Sequence, residues 1–242
     1  MPYYYGYGFD WTYLVLVLPC MILAMWASAN VNSTFKKYAS QHSYRNLTGA
    51  EAAQRVLRHN GVSGVRIERV SGNLTDHYDP RTNVIRLSDS VYSSTSTAAI
   101  GVAAHEAGHA VQYAQNYAPI KLRAAIIPIT NLGSKLAMPL ILAGILFTFL
   151  GNFSYTLVTI GIAAFGLSVV FQLVTLPVEF NASRRAMEAI ASAGLLTEDE
   201  QRGAKKTLQA AALTYVAATA TAIAQLLRLL VIFGSRGRRR ND

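Results

Sequence analysis

The hydrophobic pattern of this chain is dominated by one long stretch without a charged side chain. It runs from Leu136 to Val178, about twice the roughly 20 apolar residues that one membrane helix needs. The turn-forming residues GNFSY, at 151–155, lie near its middle. The stretch therefore predicts two membrane helices that form a hairpin.

Two further apolar runs, one near each end of the chain, predict one more membrane helix each. The first, Trp11–Ala29, has aromatic residues at its ends, where lipid headgroups lie. A cleaved signal peptide is the alternative, but no Lys or Arg precedes this run, so we interpret it as a retained span. The second, Thr207–Leu227, is less apolar and continues past Arg228, which leaves open whether it crosses the bilayer.

Between the first span and the hairpin, residues 31–125 have the mixed pattern of a small α+β domain. Thr48 and Glu51 have the spacing of a capping box at the start of a helical pattern. Residues 65–70 and 83–88 alternate apolar and polar positions, as half-buried strands do. Both helices and strands are therefore expected in this domain.

Two more helices are predicted from polar start signals. One begins in the hydroxyl-rich stretch 93–97 and ends before Pro119. The other follows the hairpin, and a second capping box stands after it at Thr197 and Glu200. Because a hairpin returns the chain to the side from which it entered, Glu179 is expected on the same side of the membrane as the α+β domain.

The predicted fold class is thus an α-helical membrane protein with a small α+β domain and about four transmembrane helices. The predicted segments are an N-terminal transmembrane helix (1–30), the α+β domain (31–125), a transmembrane hairpin (126–177), a helical segment (178–206), an apolar helix (207–233) and a basic tail (234–242).

The composition agrees with a membrane protein, since 52% of the residues are hydrophobic and only 14% are charged. A net charge of +9 raises the question of nucleic acid, but many basic residues lie in 31–125, beside the spans and without a recognition motif. The positive-inside rule explains them better and predicts that this domain is cytoplasmic, against anionic lipid. Four complete spans would place the basic tail on the opposite side, which the same rule disfavours.

The candidate chemistry lies in the stretch AAHEAGHAVQ. His105 and His109 are one turn apart on a single helix face, so both imidazoles can reach one metal ion. Glu106 is placed to take a proton from a water molecule at that metal. A pair of histidines satisfied within a helical core is the alternative, but burying these polar groups without a metal would be costly.

A hydrolytic zinc site normally takes three protein ligands and leaves one position open. Glu179 is the strongest third candidate, because it follows the hairpin at the expected membrane surface. A cluster in TDHYDP is the runner-up, although a polar turn is the more common role of such residues. The remaining candidates are His42, His59 and His77, and the cluster consists of Asp76, His77 and Asp79.

The motif HEAGHAVQ, followed by a charge-free hairpin and LPVEFNASRRA, resembles the YugP-type family of bacterial membrane zinc metallopeptidases. STFKKYAS and LTDHYDP with VIRLS match the same family, so the resemblance covers nearly the whole chain. H-E-x-x-H alone is shared by many zincins, whereas its combination with PVEFNASRRA is far more specific.

A more distant similarity to HtpX and the CAAX prenyl proteases implies the roles of four residues. In those families two membrane helices separate H-E-x-x-H from a ligating Glu. The similarity implies a zincin-like domain in which His105, His109 and Glu179 bind Zn²⁺ and Glu106 is the general base. Those relatives usually carry an Asp four residues after the third ligand, and here Ser183 stands in that place.

The resemblance also implies a binding surface for the substrate backbone. In zinc peptidases of this kind an edge strand above the metal helix binds a peptide by strand addition. An ordinary sheet strand is the alternative. The predicted shelf consists of Asn83, Val84, Ile85, Arg86, Leu87 and Ser88.

An oxyanion in the transition state needs a hydrogen-bond donor in addition to zinc. The candidates are Tyr215, His77, Arg184 and Arg228. The two arginines have an alternative role as anchors at the lipid headgroups.

The sequence therefore predicts a zinc-dependent endopeptidase in the bacterial plasma membrane, with several spans and an active site that faces the cytoplasm. It would hydrolyse peptide bonds of membrane-associated or misfolded proteins with a zinc-activated water. The expected partners are the lipid bilayer and a protein or peptide substrate, without nucleic acid. The alternative is a zinc-binding, non-catalytic scaffold or adaptor.

Other membrane proteins fit less well. An intramembrane site-two peptidase would need an LDG motif, and an iron oxygenase would need more than the five histidines present. Transport is weakly supported, because the polar residues in the spans are of the kinds that serve helix packing.

Overall fold

The computed structural model describes residues 10–238 and divides into two units. The membrane unit consists of Met1–Trp26, Ile126–Leu173 and Val216–Asp242. The α+β unit consists of Ala27–Ala125 and Val174–Tyr215. The last residues of the predicted basic tail, 239–242, lie outside the described residues.

Seven α-helices and three strands make up the described chain. Their bounds are α1 Leu18–Ala39, α2 Gly49–His59, β1 Arg66–Val70, β2 His77–Asp79, β3 Val84–Ser88, α3 Asp89–Tyr92, α4 Thr97–Ala114, α5 Ala118–Leu146, α6 Asn152–Ser192 and α7 Glu198–Arg238. A π-helical turn, Tyr13–Val17, precedes α1, and a 3₁₀ turn, Thr148–Leu150, joins α5 to α6.

Four of these helices, α1 with its preceding turn, α5, α6 and α7, are long and apolar enough to cross a membrane. Together with the small three-stranded sheet they confirm the predicted fold class, a helical membrane protein with a small α+β part. Each of the four continues from one unit into the other, so that the same helices contribute to both.

In the membrane unit, α5 and α6 pack closely through glycines. A Cβ added at Gly161 would lie 2.9 Å from the backbone O of Ala137, and one at Gly144 would lie 2.7 Å from that of Ser154. Small residues let membrane helices approach until their backbones touch. The turn between the helices ends at Gly151, with φ 60°, earlier than the predicted 151–155, because the rest of GNFSY already belongs to α6.

Capping residues begin the helices of the α+β unit where the sequence predicts. Thr48 accepts from the backbone N of Glu51 and Glu51 closes the capping box at the start of α2. Thr197 and Glu200 make the equivalent pair of hydrogen bonds, at 2.8 and 3.4 Å, at the start of α7. The Ser96 hydroxyl accepts from the backbone N–H of the residue three positions later and begins α4.

The strands form one mixed sheet in the order β1-β3-β2. β1 and β3 pair in parallel, and β2 pairs with β3 in antiparallel orientation. The segment that the sequence indicates as a polar turn, TDHYDP, thus contains the short strand β2. The turn comes later, at Asn83, whose φ is 55°.

This order corrects the prediction of a peptide shelf at residues 83–88. β3 is the central strand, so both of its edges already pair with neighbouring strands and offer no ladder to a peptide. Four of its five side chains are buried, and Arg86 lies between Asp79 and Glu68 on the flanking strands. The prediction that these residues form an edge strand is wrong because alternation alone does not tell a central strand from an edge strand.

Helix α4 lies in the core of the α+β unit. Most of its alanines, together with Ile100, are buried against residues of α2, β3, α6 and α7, among them Leu57, Ile85 and Ile190. Burial on almost every face explains why this helix is apolar around its whole circumference. The polar residues that it does carry are therefore exceptions that need a partner.

Candidate metal centre

The centre is built where α4 packs directly on α6. A Cβ added at Gly108 would lie 2.8 Å from the backbone O of Ala182, so only glycine allows this approach. Residues three to four positions apart share a helix face. The contact therefore directs His105 and His109 of α4 toward Glu179 of α6.

Three ligand atoms converge at this contact. His105 Nε2 lies 3.2 Å and His109 Nε2 3.5 Å from the same atom, Glu179 Oε2. Four tetrahedral ligands at about 2.05 Å from zinc are separated by about 3.3 Å from one another. The two distances to Glu179 Oε2 match this separation between ligand atoms. Two imidazoles and one carboxylate are also an ordinary donor set for zinc. Among the described residues, 10–238, the side chains of His105, His109 and Glu179 form a group whose ligand atoms are close enough to share one metal ion.

A buried glutamine fixes the ring of His109. Gln112 Nε2 donates to the backbone O of Val178 and to Asn181 Oδ1, both at 2.9 Å. Because both partners are acceptors, Gln112 Oε1 is the atom that faces His109 Nδ1, at 3.0 Å. Nδ1 therefore carries the proton, and Nε2 is the ring nitrogen available to a metal ion.

The ring of His105 is held by Ser183, which lies four residues after Glu179 on α6. Ser183 Oγ lies 3.1 Å from His105 Nδ1. A hydroxyl accepts from an N–H as a carboxylate does, although it brings no charge. The departure noted in the sequence thus leaves an outer partner for this histidine in place.

Glu179 is a buried charge, with 2% of its surface exposed. Arg123 Nη1 donates to Glu179 Oε1 at 2.8 Å, and the Tyr215 hydroxyl also donates to this carboxylate. Burial disfavours the charged form of His109, but the adjacent Glu179 carboxylate outweighs it and raises the pKa of this imidazole above its ordinary value. A buried carboxylate needs such partners, because an unpaired one is strongly disfavoured.

Glu106 lies next to this group and lines a cavity of about 220 Å³ in the α+β unit. His105 and Tyr215 line the same cavity. The arrangement therefore combines a place for a metal, a carboxylate beside it and an adjoining space for a second molecule. These are the parts that metal-assisted hydrolysis requires.

Comparison with known proteins assigns the family. A family model described as "Putative neutral zinc metallopeptidase" matches residues 13–234. The chain is 46% identical over 221 residues to "Putative membrane protease YugP" of Bacillus subtilis (strain 168), which is 91% of this chain and 96% of the relative. The chain belongs to this zinc metallopeptidase family. No solved structure matches it.

The other histidines considered as a third metal ligand make hydrogen bonds elsewhere. His42 Nδ1 lies 3.0 Å from the hydroxyl of Thr95, and His59 Nε2 lies 2.8 Å from that of Ser192. His77 is exposed, and its Nδ1 lies 2.8 Å from a backbone carbonyl two residues away. The structure thus does not bring these three histidines into the metal centre.

The acidic runner-up cluster holds β2 against β3. Asp76 accepts from the backbone N and the hydroxyl of Ser88, at 2.7 and 2.9 Å. Asp79 accepts from the Thr82 hydroxyl at 2.7 Å and from Arg86 Nη1 at 3.3 Å. Burial raises the pKa of Asp76, whereas hydrogen bonds, the one from Thr82 foremost, lower the pKa of Asp79 to about 2. The hydrogen bonds of these two carboxylates therefore stabilise the sheet.

Of the predicted oxyanion donors, Tyr215 is the one at the metal centre. Arg184 is exposed and pairs with Glu188 at 3.3 Å. Arg228 belongs to the membrane unit, where it pairs with Asp10 at 2.5 Å. Both arginines are therefore engaged in other ion pairs.

Four residues of the network were not predicted from the sequence: Gln112, Asn181, Arg123 and Ser183 in its contact with His105. A signal existed for the first, since Gln112 follows His109 by three positions in an otherwise apolar helix. The side chain of Arg123 joins the site through a fold contact with Glu179, 56 residues away in the chain, which no local pattern encodes.

Proposed function

We propose that this protein is a membrane-embedded, zinc-dependent endopeptidase that hydrolyses peptide bonds of membrane-associated or misfolded proteins. The observation that carries the proposal is the convergence of His105, His109 and Glu179 on one point, with Glu106 beside it. Membership of a zinc metallopeptidase family supports the same chemistry.

In this proposal His105, His109 and Glu179 would hold zinc, and the cavity lined by Glu106 adjoins them. Zinc supplies a Lewis acid for the scissile carbonyl and lowers the pKa of a water molecule. Glu106 accepts the proton of that water as it attacks the carbonyl carbon, and then transfers the proton to the amine that leaves. The buried surroundings strengthen each of these electrostatic interactions.

Tyr215 is the proposed donor to the oxyanion that develops on the carbonyl oxygen. It lines the cavity together with Glu106 and interacts with Glu179, so its hydroxyl lies among the reacting groups. A donor at the site of the developing charge stabilises the transition state. Because the phenol has a single O–H, its hydrogen bond to Glu179 would have to be exchanged for one to the oxyanion.

We further propose that the active site faces the cytoplasm of a bacterial cell. The basic residues of 31–125 support this orientation through the positive-inside rule. The relative from Bacillus subtilis is described as a membrane protease, and substrates that reach the membrane surface are the ones accessible to such a site.

The test is the variant Glu106→Gln in the full chain, purified in detergent or nanodiscs and incubated with an unfolded protein substrate. We expect hydrolysis to fall at least 1000-fold, while zinc content stays near one per chain, since Glu106 is a base and not a ligand. Glu188→Gln, on the exposed face of α6, is the matched control and should retain activity.

Two outcomes would contradict the proposal. Full activity of Glu106→Gln would remove this residue as the base. A folded, zinc-loaded wild-type protein that cleaves no member of a broad peptide library would favour the alternative of a non-catalytic scaffold.

A further inference from the structure

We propose that the cavity beside Glu106 is a specificity pocket for one apolar side chain of the substrate, of the size of Leu, Met or Phe, next to the scissile bond. This inference rests on the proposed function and adds the class of substrate. It follows from the residues that line the cavity, from the volume of the cavity and from the backbone conformation of one lining residue.

Six of the twelve residues that line the cavity are apolar, and five of these come from three helices. Val31 and Phe35 of α1, Val102 of α4, and Leu208 and Ala211 of α7 form walls of the cavity. Burying an apolar group against these walls gains free energy, whereas a polar group meets hydrogen-bonding partners only at the remaining lining residues, among them Thr207 and Thr214. An apolar substituent is therefore the occupant that these walls favour.

The same helices connect the cavity to the reacting groups. Val102 lies one turn before His105 and Glu106 on α4, and Ala211 lies one turn before Tyr215 on α7. A substrate whose carbonyl stands between Glu106 and Tyr215 has its nearest side chain within reach of these walls. The pocket thus belongs to the residue that flanks the cleaved bond.

The volume selects the size of the side chain. The cavity measures about 220 Å³. A cavity of about 150 Å³ in another protein binds benzene, so the space here suffices for a ring or a branched aliphatic group and not for several side chains. Gly and Ala would leave most of it unfilled, which forfeits the contacts of the walls.

One residue of the cavity wall, Leu74, has an unfavourable backbone conformation. Leu74 lines the cavity, although its φ is 55° and 39% of its surface is exposed. A left-handed conformation costs roughly 1–2 kcal/mol in a residue other than Gly, Asn or Asp. Stability alone would favour Asn at this position, and an apolar contact with substrate accounts for the leucine.

A carboxylate in the lining opposes acidic side chains. Asp76 lies in the cavity wall, and its two oxygens accept from Ser88 of β3. Its negative charge repels Asp or Glu on a substrate. The same charge attracts a basic group, but the apolar walls leave an ammonium group poorly solvated, so we expect acidic residues to be excluded without basic ones becoming preferred.

The test measures binding and cleavage separately with fluorescent peptides that differ only at one central residue, Gly, Leu, Phe, Asp or Lys. Binding is measured on zinc-loaded Glu106→Gln protein in nanodiscs, and cleavage on the wild type. We expect the Leu and Phe peptides to bind at least tenfold more tightly than the Gly peptide, because each methylene in an apolar pocket contributes about tenfold or more. The Asp peptide should bind most weakly.

Filling the pocket should remove this preference. Ala211→Leu places three more carbons in the cavity, so the advantage of Leu and Phe over Gly should fall at least tenfold. Ala212→Leu is the matched control, since the neighbouring alanine makes the same change outside the lining and should leave the preference unchanged. Leu74→Asn suits the left-handed backbone, so it should fold at least as well as the wild type and still reduce the preference about threefold or more.

The outcomes distinguish this inference from the proposed function. Cleavage by the wild type with equal binding of all peptides, or with Lys bound most tightly, overturns the pocket and leaves the endopeptidase in place. Equal binding is also the result expected if a lipid chain occupies the cavity. If the wild type prefers the Leu and Phe peptides and Ala211→Leu abolishes this preference, the result supports the pocket. This holds even if the wild type cleaves none of the peptides, which would contradict only the proposed endopeptidase activity.

Discussion

The position of the proton on the His109 imidazole can be tested directly by substituting Gln112, the residue that faces its Nδ1 atom. The substitution Gln112→Leu removes the acceptor that faces His109 Nδ1 at 3.0 Å and the donors to Val178 and Asn181 at 2.9 Å. A buried group left without its hydrogen bond costs about 1–3 kcal/mol. The imidazole then loses its preferred tautomer and its fixed orientation.

The expected effect on zinc is a loss of affinity of about 10- to 100-fold, the usual effect of removing an outer partner of a ligating histidine. This corresponds to about 1.4–2.8 kcal/mol. Gln112→Glu keeps an oxygen that accepts from His109 and loses the two donors to α6. Its zinc affinity should therefore stay within a few fold of the wild type, while its stability falls below that of Gln112→Leu, because a buried carboxylate would face the acceptor oxygens of Val178 and Asn181.

The assay is competition for zinc against a chelating indicator, on full-length protein in detergent, together with thermal unfolding of each variant. Gln54→Leu is the control, because it makes the same change at an exposed position of α2. Unchanged zinc affinity in a folded Gln112→Leu protein would refute the reasoning. Equal loss in both Gln112 variants would assign the effect to the donors toward α6 instead of the proton on His109.

The remaining predictions concern the same centre. Glu179→Ala should lower zinc affinity by more than the roughly 100-fold limit for an outer partner, and unaltered affinity would exclude it as a ligand. Gly108→Ala should destabilise the protein by about 1–3 kcal/mol and weaken zinc binding, as measured by unfolding and competition, because the new methyl group would lie 2.8 Å from Ala182 O. Tyr215→Phe should reduce kcat about 100- to 1000-fold with little change in KM. If the variant loses only zinc affinity, the role of Tyr215 is limited to orienting Glu179. The raised pKa of His109 stabilises the metal-free protein below about pH 6.5, and this contribution is lost as the pH rises through that raised pKa. Since zinc needs the neutral ring, the increase in unfolding temperature that zinc produces should grow between pH 6 and 8; a constant increase would contradict this.

The sequence was informative wherever a pattern is local. Helix starts at Thr48 and Thr197 were predicted because a capping box occupies four consecutive residues. The membrane helices were predicted because length and hydropathy suffice. The convergence of Glu179 with the H-E-x-x-H helix was expected from hairpin topology and from the family resemblance, and the structure brings these residues together.

The sheet could not be predicted to the same degree. A strand of five residues carries no information on which of its two edges is paired, so the central place of β3 and the pairing of β2 depend on tertiary contacts. The partners Arg123 and Gln112 depend on how α5 and α6 approach α4, a distance that Gly108 sets. Spacing along one helix predicts which side chains share a face, but not what the neighbouring helix places opposite them.

The partners of Glu179 bear on how the centre is assembled. Its Oε1 receives Arg123 at 2.8 Å, and its Oε2 faces both ligating histidines, so this buried charge is compensated from two directions by protein groups. This arrangement is maintained by helix packing, at the contact that Gly108 allows between α4 and α6. Zinc binding would therefore displace a proton from His109, and the compensated carboxylate limits the electrostatic cost of the metal-free site.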